Sequence, residues 1–125
     1  MSFDLSTLVP SDTAVVQITH PTTGKPLEGV TVTIYGKDSD TFEKLSNKNL
    51  RKRLKKRNQI PDPAEIHASN VETVAGCIIA WTGMVENGQE VPFSKENAVK
   101  LMYTYKWMYE QLDEAIGSRL DFLAE

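Results

Sequence analysis

From Ala98 to Leu123 the apolar residues return every three or four positions: Ala98, Leu101, Met102, Tyr105, Met108, Tyr109, Leu112, Ile116, Leu120 and Leu123. That spacing lines them along one face of a helix, and a helix with one apolar face has to bury it against another surface. Ser94 stands ahead of the run as its cap. Phe93, one position earlier, is placed to close on the first turn near Ala98 as a hydrophobic staple. The spacing therefore predicts one long terminal helix, weakened at Gly117-Ser118, where glycine costs about 1 kcal/mol relative to alanine. Phe122 and Leu123 are then free to dock separately.

Near the start the periodicity changes from helical to alternating. Val15, Val16 and Ile18 occupy Thr13 to Thr19, and Val30, Val32 and Ile34 alternate with Thr31, Thr33 and Tyr35. A period of two is the mark of a strand, and the intervening His20-Pro21-Thr22-Thr23-Gly24-Lys25-Pro26 is rich in turn formers. A long-looped hairpin over residues 13–36 is expected, preceded by an arm over residues 1–12. A lone hairpin is marginal in water, so helices, further strands or another subunit must cover its apolar face. Few further strands are evident, which leaves edge pairing between copies as one route to cover.

Two more helices are predicted. Asp38-Ser39-Asp40 caps one that runs from about Ser39 to Arg57, with Phe42, Leu45, Leu50 and Leu54 as a weak apolar stripe. Asn58-Gln59-Ile60-Pro61-Asp62-Pro63 breaks the chain near 58–63. Asp62 as cap, Pro63 in the first turn and Glu65 then open a helix carrying Ile66, Val71, Val74, Ala75, Ile78 and Trp81, stopped by Gly83. Asn87-Gly88 marks a turn before Ser94. The fold class is α+β, mainly α: an N-terminal β-hairpin packed with a C-terminal bundle of about three helices, in a single domain over 1–125.

The charge is unevenly spread. Residues 1–36 sum to −2, residues 37–57 to +6 and residues 62–125 to −7, for a net −3. An acidic chain disfavours a general nucleic-acid-coating role, and the basic run Arg51-Lys52-Arg53-Leu54-Lys55-Lys56-Arg57 has no interleaved aromatic. Its cations suit the negative end of a helix, an acidic partner, or, less readily, phosphate. The single cysteine, Cys77, excludes an intramolecular disulfide and a thiolate-rich zinc site, so a reducing cytoplasm is the expected setting. No stretch of about 18 apolar residues directs the chain to a membrane.

No catalytic residue, metal ligand or cofactor site is assigned. His20 and His67 lack metal-motif spacing, and Glu110, Asp113 and Glu114 lie off the apolar stripe on a solvated face. No glycine-rich phosphate loop or nucleophile elbow occurs. Large aromatics anchor cores or interfaces, and Trp107, off the stripe of Tyr105, Met108 and Leu112, is the one expected at a partner contact.

The order of features resembles the tail assembly chaperones of long-tailed bacteriophages. The resemblance is carried by Pro21-Thr22-Thr23-Gly24-Lys25-Pro26 with the Val30 to Gly36 strand and by Lys37-Asp38-Ser39 opening a basic helix. It continues through Trp81-Thr82-Gly83, Asn87-Gly88, Pro92-Phe93-Ser94 and Asn97, and closes with Trp107, Gln111, Leu112, Ile116 and Phe122. It implies a non-enzymatic chain that binds the tape measure protein and tail tube protein, self-associates, acts in the cytoplasm of the infected host and is absent from the mature virion. Partner contacts are expected at Arg51, Lys52, Arg53, Lys55, Lys56, Arg57, Trp107 and Phe122. The rivals are a small nucleic-acid-binding regulator using residues 51–57 and a structural tail component.

Overall fold

The structure is a computed structural model, and it describes residue 5, residues 12–55 and residues 62–118. The elements in chain order are β1 (Thr13–Thr19), β2 (Pro26–Tyr35), α1 (Asp40–Lys55), α2 (Pro63–Cys77), β3 (Ile78–Thr82), β4 (Val85–Glu86), β5 (Gln89–Glu90), α3 (Lys95–Thr104) and α4 (Lys106–Gly117).

β1 and β2 form the expected hairpin, with Ala14 opposite Ile34 and Val16 opposite Val32. Its turn is held by His20, whose Nδ1 accepts the N–H groups of Thr22 and Thr23, while its own N–H donates to the Lys25 carbonyl. Alternation puts Ile18, Val32 and Ile34 on one face, all fully buried, each worth about 1.5–3 kcal/mol relative to exposure.

The helix expected to run on through Trp81 ends at Cys77, and the next five residues form a strand. β3 pairs antiparallel with β2, which becomes the centre of a three-stranded sheet ordered β1-β2-β3. The register runs Ile34↔Ile78 and then Thr33↔Ala80 and Val32↔Trp81, so Ile79 is an extra residue in a bulge. In a regular strand residues three apart face opposite ways; the bulge turns both Ile78 and Trp81 inward and leaves Ile79 outside. Gly83 does not close a helix. At φ +71 it lets the backbone pass so close to Gly29 that a Cβ would lie 2.3 Å from the Gly29 carbonyl oxygen.

The Asn87-Gly88 turn joins β4 to β5, with φ +53 and +78 as a two-residue type I′ turn requires. The helical portion expected over 38–125 therefore contains strand as well as helix.

The predicted helix starts hold. Ser39 Oγ accepts the Phe42 N–H, Asp62 Oδ1 accepts the Ala64 N–H, and Ser94 Oγ accepts the Asn97 N–H. Phe93, just ahead of the Ser94 cap, packs its ring edge-on against Trp81 at 5.1 Å between centroids. The long terminal helix is two helices, broken at Tyr105, whose φ −114 and ψ 80 are not helical. The break brings Tyr105 Oη to the Glu86 carboxylate at 2.8 Å and lets α3 and α4 each turn a face to the core. Gly117 is the last residue of α4.

The core is continuous between sheet and helices. Ile18, Val32, Ile34 and Ile78 meet Val71, Val74 and Cys77 of α2, Met102 of α3, and Leu112 and Ile116 of α4. α4 packs against β1, and its Ile116 carbonyl accepts the Lys37 N–H just ahead of α1.

Candidate partner-binding surface

α1 begins acidic, with Asp40 and Glu43 in its first turn, and turns basic toward its end, the order that favours the helix dipole. Arg51 and Lys52 are exposed on its last turns. Lys52 Nζ lies 3.6 Å from one oxygen of Glu72 on α2, and Lys48 Nζ lies 3.9 Å from the other. One acidic residue of α2 thus engages two cations of the basic helix, an exposed pairing worth about 0–1 kcal/mol. Beside it Asn49 Nδ2 donates to Thr73 Oγ1 and reaches the Ser69 carbonyl, so this part of the α1–α2 seam is polar, while further along Leu45 packs on Gly76. Arg53 and Lys55 continue the backbone of α1, while their side chains, with Lys56, Arg57 and Phe122, lie outside the described residues.

Trp107 is half-buried. It packs against the core and meets Tyr105 edge-on at 6.2 Å, with part of its ring left at the surface.

Two concavities flank α2. Between α1, α2 and α4 a groove of about 300 Å³ is lined by Phe42, Leu50, Val74, Asp113 and Ile116. Burial raises the Asp113 carboxyl above its ordinary range. Between α2 and α3 lies a wider, shallower depression of about 620 Å³. Its apolar lining is Ala68, Val99 and Tyr103, and its charged lining is Glu72, Lys95, Glu96 and Lys100, with Lys100 Nζ 3.3 Å from Glu96. Tyr103 is 44% exposed there, a large apolar ring at the surface.

Sequence reasoning did not bring His67, Tyr103 and Tyr109 together. The His67 ring sits edge-on to both, at 5.5 and 5.3 Å, and its buried Nε2 has no hydrogen-bond partner among the described residues. Their spacing along α2, α3 and α4 carries no signal; only the packing of three helices joins them. Burial, with a smaller contribution from the Asp113 carboxylate, raises the Tyr109 phenol.

Cys77 is fully buried at the α2–β3 junction, and burial pushes its thiol up to about 11. A thiol held protonated is a poor nucleophile, so its place is packing. Among the described residues no group of three or more His, Cys, Asp or Glu side chains could hold a metal ion, and no helix is long and apolar enough to cross a membrane.

Residues 35–115 match the family model described as YdaY prophage protein. The chain belongs to the YdaY prophage protein family. No curated protein and no solved structure matches it. The YdaY segment begins at the last residue of β2 and runs into α4, taking in α1, α2, β3 and α3. Both concavities beside α2 are therefore built almost wholly from the part of the chain that the family model describes.

Proposed function

We propose that this prophage protein is a non-enzymatic tail assembly chaperone that binds the tape measure protein and promotes tail tube assembly around it. The observation that carries the reading is the α2–α3 depression, an open apolar lining of Ala68, Val99 and Tyr103 flanked by two cations and two carboxylates. A long helical partner carries an apolar stripe that needs cover before assembly. A shallow groove with a charged rim suits such a stripe, the rim charges pairing with residues flanking it. Weak contacts repeated along a long partner add through avidity, so no single site has to be strong. The family's prophage origin is the second support.

On this reading the chain acts in the host cytoplasm and leaves the particle before completion. Mass spectrometry of purified virions separates that from a structural tail component, which would remain.

Co-expression tests the reading directly. Tape measure protein should be markedly more soluble with this chain than without it, and Tyr103→Glu, a change at an exposed ring, should remove the gain while the chain itself stays folded. Tape measure protein equally insoluble in both cases would end the proposal. The rival, a nucleic-acid regulator using residues 51–57, would be removed by undetectable binding to duplex and single strands at low salt.

A further inference from the structure

We propose that the outer edge of β1 is a self-docking site, at which a second copy of this chain pairs antiparallel with a twofold axis through Val15. In an antiparallel ladder successive residues turn their N–H and C=O groups to alternate sides of the strand. The hydrogen bonds at the two ends of β1 fix which side is which. Asp12 O accepts from Gly36, His20 N–H donates to Lys25, and His20 O accepts from Gly24, so the even-numbered positions turn toward β2. Thr19 turns the other way, and both its backbone groups are taken by the side-chain amide of Gln111.

The register shift between Gln17 and Thr19 sets the four residues Leu27–Val30 of β2 against Ile18 alone, so β1 itself carries no extra residue and its alternation is unbroken. Thr13, Val15 and Gln17 therefore turn their backbone groups outward, where no described residue pairs with them.

Sheets guard such edges with charge, proline or a bulge. β3, the other edge, has the bulge at Ile79. β1, Thr-Ala-Val-Val-Gln-Ile-Thr, has none of the three.

A second copy fits this edge because the edge is self-complementary about its middle. With Gln111 closing Thr19, the stretch left open among the described residues is Thr13 to Gln17 and its centre is Val15. Pairing through that centre sets Thr13 opposite Gln17 of the second copy and Val15 opposite Val15 of the second copy, so all three outward residues exchange hydrogen bonds. Shifting by two residues leaves one outward residue on each copy without a described partner or drives it into the Gln111 amide. No charge opposes a like charge along the strand, and Val15, 66% exposed in the single chain, closes on its own copy. The Gln17 amide nitrogen already donates to the Leu27 and Val30 carbonyls, so it meets the second copy with its donors engaged. Such a contact between identical patches is closed and stops at two chains. The inference goes beyond the assembly reading and does not need it.

Sedimentation velocity across a concentration series tests it, with Val15→Pro as the decisive variant. The Val15 N–H points away from β2, so proline there removes no bond within the chain, and an unchanged circular dichroism spectrum verifies the fold. The dimer should weaken at least about tenfold. Val15→Lys, which sets two cations on the axis, serves if the proline variant fails to fold. In a Cys77→Ala background, Val15→Cys should cross-link with itself through a short bifunctional reagent, and Thr13→Cys should cross-link with Gln17→Cys. A monomer at every concentration, a dimer indifferent to both variants, or cross-links in another register would overturn the proposal. A monomer that still keeps tape measure protein soluble sinks the pairing alone, whereas a dimer that fails to do so sinks the assembly reading alone.

Discussion

The side-chain amide of Gln111 makes both hydrogen bonds that a neighbouring strand would make to Thr19. Its Oε1 accepts the Thr19 N–H at 3.0 Å, and its Nε2 donates to the Thr19 carbonyl at 2.9 Å, across 92 residues of sequence. A helix side chain thereby finishes the edge of a sheet and fixes α4 against β1. Replacing Gln111 with alanine should destabilise the chain by about 1–3 kcal/mol, because it leaves a half-buried donor and acceptor unpaired. Gln111→Glu should lie between wild type and alanine: a carboxylate still accepts the N–H but has nothing to donate to the carbonyl. Urea unfolding of the three proteins measures the order.

Gly83 and Gly24 offer a paired test of backbone strain. Both have φ +71, so alanine at either position is disfavoured by about 1–2 kcal/mol from conformation alone. At Gly24 the new methyl meets open space, whereas at Gly83 it lies 2.3 Å from the Gly29 carbonyl oxygen, an approach that only a backbone shift relieves. Gly83→Ala should therefore cost clearly more than Gly24→Ala and reduce soluble yield. Equal midpoints for the two variants would show that the β3–β4 corner yields freely.

The hairpin and the helix starts were legible because their signals are local. Alternation marks Val30, Val32 and Ile34, while Asp62 with Pro63 opens α2 and Ser94 opens α3. β3 was not legible, since Ile78 and Trp81 extend the three-and-four spacing of Val71, Val74 and Ala75 and so continue a helix on paper. The helix is ended by pairing with β2, more than 40 residues earlier in the chain, together with a bulge that no composition signals. The break at Tyr105 escaped for a related reason. Neither proline nor glycine stands there, and the interaction that rewards the break is a hydrogen bond to Glu86. For the candidate surface, the basic run could be read as a cluster but not its engagement by Glu72, and Tyr103 was one aromatic among several until α2 and α3 were set side by side.

The Tyr105–Glu86 contact ties the β4–β5 hairpin to the joint between α3 and α4. Hydrogen bonding to the Glu86 carboxylate, with smaller contributions from burial and from that group's charge, raises the Tyr105 phenol above its ordinary value. Tyr105→Phe keeps the ring and removes the bond. Hydrogen exchange should then quicken at residues 85–90 while the amides of α2 and β2 stay protected, because what still holds the hairpin lies at its base, in buried Met84 and in the Trp81 Nε1 bond to the Val91 carbonyl, and not along residues 85–90. Exchange that quickens evenly across the chain would instead make the contact part of the global core.

Alkaline pH should destabilise the protein in a defined window. The Cys77 thiol ionises at its ordinary value of 9.0 once unfolded but only at about 11 when folded. Between those limits the unfolded chain has released a proton that the folded chain retains, so stability, complete below pH 9, falls as pH rises toward 11. Tyr105 and Tyr109, raised from 10.0, act in the same direction. Cys77→Ala should flatten the first part of the decline in a series of urea midpoints. In the native protein at neutral pH a thiol reagent should react only as fast as the chain opens.

The bulge at Ile79 predicts a tolerated deletion beside an untolerated one. Removing Ile79 leaves Ile78 opposite Ile34, Ala80 opposite Thr33 and Trp81 opposite Val32, a regular strand with both large side chains still inward. Removing Thr33 from the central strand brings Val32 and Ile34 into succession, and one of them must then leave the core face. Both are fully buried, so that loss is about 1.5–3 kcal/mol before the broken ladders are counted. The first deletion should keep the near-ultraviolet circular dichroism of Trp81, and the second should abolish it. Tolerance has a consequence, because the bulge is also what guards the β3 edge against pairing. The Ile79 deletion should fold and then associate beyond a dimer, with β1 and β3 both open, and light scattering that stays at the wild-type level would assign the bulge to fit alone.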